Sequence, residues 1–171
     1  MQYKLPKRRF LPILLTGAFV SAILSLYILS RIFTVAAYLF PYGAALFLVM
    51  ALYTVGRFLV FDTLYHLGDD YADFAFTVYR VYKTTSSPIA KVEFFGKEEL
   101  ILLDRRGKKR LKKKKKLGVY TANPIPNTLY ALFCEIDGVE GYILLELDEF
   151  AKNKINERIA RAAHTYAIDE R

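Results

Sequence analysis

Ten of the twelve residues from Arg105 to Lys116 are basic. Arg105, Arg106, Lys108, Lys109, Arg110, Lys112, Lys113, Lys114, Lys115 and Lys116 are interrupted only by Gly107 and Leu111. A run of this density cannot enter an apolar core, because unpaired buried charge costs far more than the side-chain stems gain by packing. It is expected as an extended loop or strand-to-strand tip, and its chemistry is attraction to anions. Beside an anionic leaflet each Lys or Arg gains about 1 kcal/mol, so a few contacts orient a domain already tethered there. A solvated loop that offsets an acidic domain is the competing reading, since the rest of residues 62–171 carries nine bases against 17 acids. Nucleic acid fits less well. Base-reading side chains and interleaved aromatics are absent, which leaves only non-specific, salt-sensitive binding.

Other reactive residues form no constellation. Asp62, Asp69, Asp70 and Asp73 lack the ordered spacing and the Gly and Glu positions of a calcium loop, and they read as solvated turn acids. His66 and His164 are far apart in the chain, with no cysteine pair near either, so no metal site is expected. The single cysteine, Cys134, rules out an internal disulfide and reads as a small core residue. No nucleophile elbow, phosphate-binding glycine loop or dinucleotide fingerprint occurs. The expectation is a non-enzymatic chain with no catalytic residue, metal or cofactor.

The element that must position the basic run is an anchor. Residues 1–61 contain no Asp or Glu, and two runs of 21 residues, Phe10 to Ser30 and Val35 to Val55, contain no charge. A helix of that length covers the roughly 30 Å of bilayer hydrocarbon. Lys4, Lys7, Arg8 and Arg9 precede the first run, Arg31 stands in the connection, and Arg57 follows the second. The positive-inside bias then predicts a multi-pass hairpin at residues 10–61 in the cell's cytoplasmic membrane, with both termini cytoplasmic and residues 1–9 forming a basic N-terminus. A cleavable signal peptide ending near Val20-Ser21-Ala22 is the alternative, weakened by the apolar run continuing to Leu29. Gly17, Ser21 and Ser25 on the first run, with Ala37 and Ala45 on the second, predict close helix packing. That packing is either of the two spans on each other or of a homo-oligomer or membrane-protein partner.

Residues 62–171 read as about seven short strands closed by one helix. Strands are expected at Asp62–Gly68, Tyr71–Lys83, Ile89–Phe95, Glu99–Asp104, Leu117–Ala122, Leu129–Ile136 and Tyr142–Leu147. Gly68-Asp69-Asp70 turns the first pair, Ala72, Phe74, Phe76 and Val78 share a face, and Asp137-Gly138 makes a hairpin. Phe133 and Leu145 are expected in the core. From Asp148, a good N-cap, Phe150, Ala151, Ile155, Ile159, Ala162 and Tyr166 fall on one side of a helix over 148–168.

The stretch Leu129-Tyr-Ala-Leu-Phe-Cys-Glu-Ile-Asp-Gly-Val-Glu-Gly-Tyr-Ile-Leu-Leu-Glu-Leu-Asp-Glu-Phe150 runs strand, Asp-Gly turn, strand and then immediately helix. With two N-terminal spans and about seven strands, it resembles bacterial two-span membrane proteins that carry a pleckstrin-homology-like cytoplasmic domain. The resemblance implies a mostly antiparallel sandwich or barrel closed by a C-terminal amphipathic helix. It also implies a binding or scaffold role and supplies no catalytic residues; the basic segment departs from the general pattern. The expected function is to present this domain at the membrane surface, oriented by the basic segment on anionic lipid headgroups or a partner. An accessory subunit that assembles through the hairpin is the alternative.

Overall fold

The computed structural model describes residues 2–5, 7–68 and 74–169. The chain divides into two compact units, one covering Lys7–Phe61 and the other combining the N-terminal residues with those from Asp62 onward.

In the first unit, α1 (Phe10–Ile32) and α2 (Thr34–Thr54) are joined by Phe33 alone, whose extended backbone (φ −120°, ψ 125°) breaks the helix. A π-helical turn, Val55–Val60, extends α2 past the expected end at Val55. Both helices are long and apolar enough to cross a membrane. Bulky residues form their seam. Phe19 stacks on Phe47 at 6.2 Å and Tyr27 meets Phe40 edge-on at 5.8 Å. Gly43 admits a close approach, since a Cβ there would lie 2.8 Å from Leu26 Cδ1. Gly17, Ser21, Ser25, Ala37 and Ala45 are all exposed, and a Cβ on Gly17 would meet nothing within 4 Å. The expected packing of the spans on each other through this row is therefore corrected. A helix apolar on every side does not reveal in its sequence which side its neighbour takes.

The second unit has two four-stranded sheets. The first runs β1 (Gln2–Lys4), β2 (Asp62–Leu67), β3 (Ala75–Tyr82) and β4 (Thr85–Glu93) in spatial order, all antiparallel. The second contains β5 (Glu99–Leu102), β6 (Lys116–Tyr120), β7 (Leu129–Ile136) and β8 (Val139–Glu146) in the order β5-β7-β8-β6. Only the β6–β8 pairing is parallel. Seven strands lie where strands are expected, but β4 starts at Thr85 rather than Ile89, since Ser86, Ser87 and Pro88 pair with β3 instead of breaking the chain, and β8 starts at Val139 rather than Tyr142 because the two-residue loop brings it into register at once. β1 is an eighth, in residues read as a basic N-terminus: Tyr3 pairs with Tyr65, and Lys4 bridges Asp62 at 2.6 Å. Three residues carry too little pattern for their long-range pairing to be read from sequence. Asp69 and Asp70 of the expected turn after Gly68, Tyr71 and Ala72 at the start of the next expected strand, and Asp73 lie outside the described residues.

Alternation places Tyr65, Leu67, Phe76, Val78, Val92 and Phe94 of the first sheet against Leu132, Ile143 and Leu145 of the second. The two-residue Asp137-Gly138 loop has both φ values positive (51° and 77°), as a hairpin matched to strand twist requires, and it fixes Ile136 opposite Val139. That register turns Leu132 and Cys134 inward. Phe133 faces the other way and is half-buried, which corrects its expected place in the core. Helix α4 (Glu149–Asp169) starts at Asp148, whose Oδ1 accepts from the Ala151 amide at 2.8 Å. It buries Ala151, Ile155 and Ala162 in the core, whereas Phe150 is 53% exposed rather than on the packed side. Gly96 lets α4 approach: a Cβ there would stand 2.3 Å from Ala163 Cα.

Candidate functional site

The basic run is helical over its first half, which corrects the expected extended loop. Asp104 starts α3 (Arg105–Leu111) as an N-cap, its Oδ1 accepting from the Gly107 amide at 2.6 Å. Lys and Arg are good helix formers once their charges reach solvent, so the run has no intrinsic preference for a loop. Gly107 and Leu111, the two interruptions in the charge, stand one helical turn apart and are both buried. A Cβ on Gly107 would lie 2.4 Å from the Leu102 carbonyl oxygen, so only glycine lets the helix sit this close to the end of β5. The interruptions are the docking face.

Arg110 completes the attachment. Its guanidinium meets the Glu99 carboxylate with two nitrogens, Nη1 lying 2.7 Å from Oε1 and Nη2 bonding Oε2. The same group lies over the Phe133 ring, 5.6 Å from its centroid. Phe133 thus has a role on the outer side of the second sheet, as the platform under Arg110. The hydrogen bond from Arg110 holds the Glu99 carboxyl below the usual glutamate range. After α3, the Lys114 amide donates to the Leu111 carbonyl at 3.0 Å, and Lys114 Nζ lies 3.4 Å from Glu140 Oε2. The chain then becomes strand: Lys115 O accepts from the Tyr142 amide at 2.9 Å, and Lys116 opens β6.

All ten bases are exposed, but they are not equivalent. Arg110 and Lys114 are engaged with carboxylates. Arg105, Arg106, Lys108, Lys109, Lys112, Lys113, Lys115 and Lys116 have no ion pair among the described residues. Docking Gly107 and Leu111 inward leaves these cations as a dense, unneutralised positive surface, which attracts and concentrates anions. A cavity of about 450 Å³ between Phe95, Glu98, Arg110 and Phe133 does not share that character. Four carboxylates line it: Glu98 accepts from the Phe95 and Gly96 amides, Glu99 is paired with Arg110, Glu140 lies near Lys114, and Glu135 is exposed. Sequence reasoning found the ten bases but missed Glu99, Gly107 and Phe133 as the parts that aim them. The available signal was Asp104, a capping residue directly before the run.

The other reactive groups are structural. Cys134 is buried against the core, and burial pushes its thiol up to about 12, far from the range of a reactive thiolate. His66 meets the Tyr79 ring edge-on at 6.2 Å. Glu146 is buried with its partners in place, accepting from the Ala122 and Asn123 amides at 3.0 and 3.1 Å and from Asn123 Nδ2 at 2.7 Å. It ties down the loop after β6. No protein-family model matches this chain, and neither does any curated protein or solved structure.

Proposed function

We propose that this protein is a non-enzymatic integral membrane protein whose helical hairpin anchors a pleckstrin-homology-like domain at the cytoplasmic face. In this reading α3 and the lysines after it orient the domain on anionic lipid headgroups. The observation that carries the proposal is the docking of α3 by Gly107, Arg110 and Leu111, which directs the unpaired bases to solvent. Roughly 1 kcal/mol per base near an anionic surface means that three or four contacts suffice to orient a domain that is already anchored. Connectivity supports the topology. β1 lies before the hairpin, β2 lies after it, and the two pair directly, which supports a reading in which the intervening chain crosses the membrane twice and returns to the same side. Cleavage after Ala22 would remove β1 from its sheet.

The test uses the domain as one chain, residues 1–6 joined to 62–171 by a short Gly/Ser linker, which the β1–β2 pairing makes sterically simple. It should sediment with phosphatidylglycerol-rich vesicles at low salt and release as salt rises, because screening shortens to about 8 Å at physiological ionic strength. Replacing Lys112, Lys113, Lys114, Lys115 and Lys116 together by Gln should remove most of this binding. Equal binding by the variant across the salt series would show that the segment is not the lipid contact.

One observation favours a second reading, assembly through the hairpin with another copy or a membrane-protein partner. The Gly17, Ser21 and Ser25 row is exposed, and Ser25 bonds back to the Ser21 carbonyl at 2.9 Å, so close approach of another helix would not strand the Ser25 hydroxyl. In that case full-length protein would associate in detergent and Gly17→Leu would abolish the association.

A further inference from the structure

Connectivity fixes the end of the first sheet at which the chain enters and leaves the domain. Asp62 opens β2 and stands two positions after Val60, where the second apolar helix ends, so at most about 7 Å of chain separates them. The Leu5 amide donates to the Thr63 carbonyl at 3.5 Å, and Lys7, the first residue of the helical unit, follows Leu5 by two positions. Two tethers without a spacer therefore leave the domain side by side, at the Asp62 end of β2. β3 returns to that end and runs past it. Val81 pairs with Asp62, and Tyr82 pairs with Thr85 across the two-residue loop Lys83-Thr84, so the β3–β4 tip overhangs Asp62 by about 7 Å at strand rise.

The chemistry of this tip differs from the rest of the domain. Residues 74–92 contain no acid, whereas residues 62–171 outside the basic segment hold 17 acids against nine bases. Tyr82 is 45% exposed, and Lys83 is exposed with its ammonium 5.4 Å from the Tyr82 ring centroid, a contact that leaves its charge unneutralised. Lys83 has no ion pair among the described residues. Its φ is 51° at the first position of a two-residue hairpin loop, where glycine or asparagine is usual. A lysine kept there against backbone preference points to a task for its side chain. An exposed tyrosine beside an unpaired lysine matches the bilayer interface, where amphipathic rings sit at headgroup level and long cationic side chains reach the phosphates. Thr84, Thr85, Ser86 and Ser87, which follow, are exposed and offer no apolar patch on which a protein partner would close.

We propose that the β3–β4 tip seats in the phospholipid headgroup layer of the membrane that holds the hairpin, with the Tyr82 ring in the interface and the Lys83 ammonium on a lipid phosphate. The proposal rests on the anchor in the proposed function and is independent of the basic segment. The chain contains no tryptophan, so one introduced residue reports alone. The test uses full-length protein carrying single tryptophans in phosphatidylcholine vesicles, with and without phosphatidylglycerol. Added lipid carries a nitroxide quencher either at its headgroup or deep on its acyl chain.

Tyr82→Trp should lose most of its emission to the headgroup quencher, and Phe95→Trp, exposed beyond the other end of β4 about 30 Å away, should lose little. The loss at Tyr82→Trp should persist without phosphatidylglycerol, because the two tethers set it and the lysines at 112–116 do not. Thr84→Trp, on the exposed turn, repeats the measurement if the Tyr82 variant folds poorly. Lys83→Gly in the Tyr82→Trp protein should keep its thermal stability, since glycine suits the positive φ, and should weaken the headgroup quenching. Equal quenching at Tyr82→Trp and Phe95→Trp would overturn the proposal, as would quenching that requires phosphatidylglycerol or is unmoved by Lys83→Gly. Leu46→Trp, on an exposed position of α2, reports the anchor separately through the deep quencher. Quenching there with none at Tyr82→Trp would leave the anchor standing and remove the tip contact. No quenching at Leu46→Trp would remove both.

Discussion

Tyr3 and Asp148 meet across 145 positions of the chain, the phenol donating to Oδ2 at 2.5 Å while the other oxygen of the same carboxylate caps α4 at the Ala151 amide. One acid therefore serves both ends of the domain. The Tyr3 ring also lies 6.5 Å from Phe150, which accounts for an aromatic residue left largely outside the core. A strand that precedes the hairpin is thus fastened to the helix that ends the chain.

Tyr3→Phe should lower domain stability by about 1 kcal/mol, the usual net value of one hydrogen bond, and should speed hydrogen exchange at Ala151 and Lys152. Burial, together with Asp148, pushes the Tyr3 phenol up to about 12. A raised acid favours the protonated fold, so this contribution is complete below the unfolded value near 10 and disappears as pH rises through about 12. The Phe variant should show no such alkaline loss. Unchanged exchange at the start of α4 would mean that the tie carries no stability.

The pairing of β1 with β2 also fixes an expectation for topology. Single cysteines at Gln2 and after Arg171, in a Cys134→Ala background, should both resist a membrane-impermeant reagent in intact cells, and one at Ile32 should react. Reaction at one terminus alone would contradict an even number of crossings. Reaction at both termini but not at Ile32 would invert the positive-inside assignment.

Leu132 and Phe133 are neighbours with opposite roles, and mutation separates them. Leu132 is fully buried between the sheets, so Leu132→Ala should cost about 2 to 5 kcal/mol. Phe133→Ala should cost less and act locally, through the loss of the platform under Arg110. Thermal unfolding of the pair of variants, combined with exchange rates in α3, distinguishes the two effects. A larger global loss for Phe133→Ala would place the register of β7 one residue out.

The sequence made the β7–β8 hairpin and the start of α4 legible because local chemistry decides both. Asp137-Gly138 permits the positive φ values of a two-residue loop, and Asp148 caps the helix that follows immediately. The facing of β7 was not legible. Tyr-Ala-Leu-Phe-Cys is apolar at every position, and both sides are covered, one by the opposite sheet and the other by Arg110 and its helix. The ten bases stood out by composition, yet charge density concealed the helix. Its determinants are one cap, one glycine and one leucine, together with a glutamate eleven positions away from Arg110. The seam between the apolar helices was hidden for the opposite reason, since apolar residues on every side leave no contrast to read.

Attachment of α3 should weaken in acid and not in alkali. Arg110 is the first cause of the depressed Glu99 carboxyl. A carboxyl whose folded value lies below its unfolded value stabilises the fold fully above the unfolded range near 4.3, and that contribution is lost as pH falls through the lower folded value. The pair is exposed, so its effect is local and salt-sensitive rather than global. Hydrogen exchange of the α3 amides, referenced to those of β7 in the same sample to remove the intrinsic pH dependence, should accelerate below about pH 4. Glu99→Gln should show that faster exchange at every pH. Gly107→Ala tests the other contact, because its methyl group would meet the Leu102 carbonyl and the helix must lift to accommodate it. It should release α3 at neutral pH while β7 stays protected. If α3 exchanges at the same rate in wild type, Glu99→Gln and Gly107→Ala, the docking that turns the eight unpaired bases outward does not hold in solution, and the oriented-surface reading of the segment falls with it.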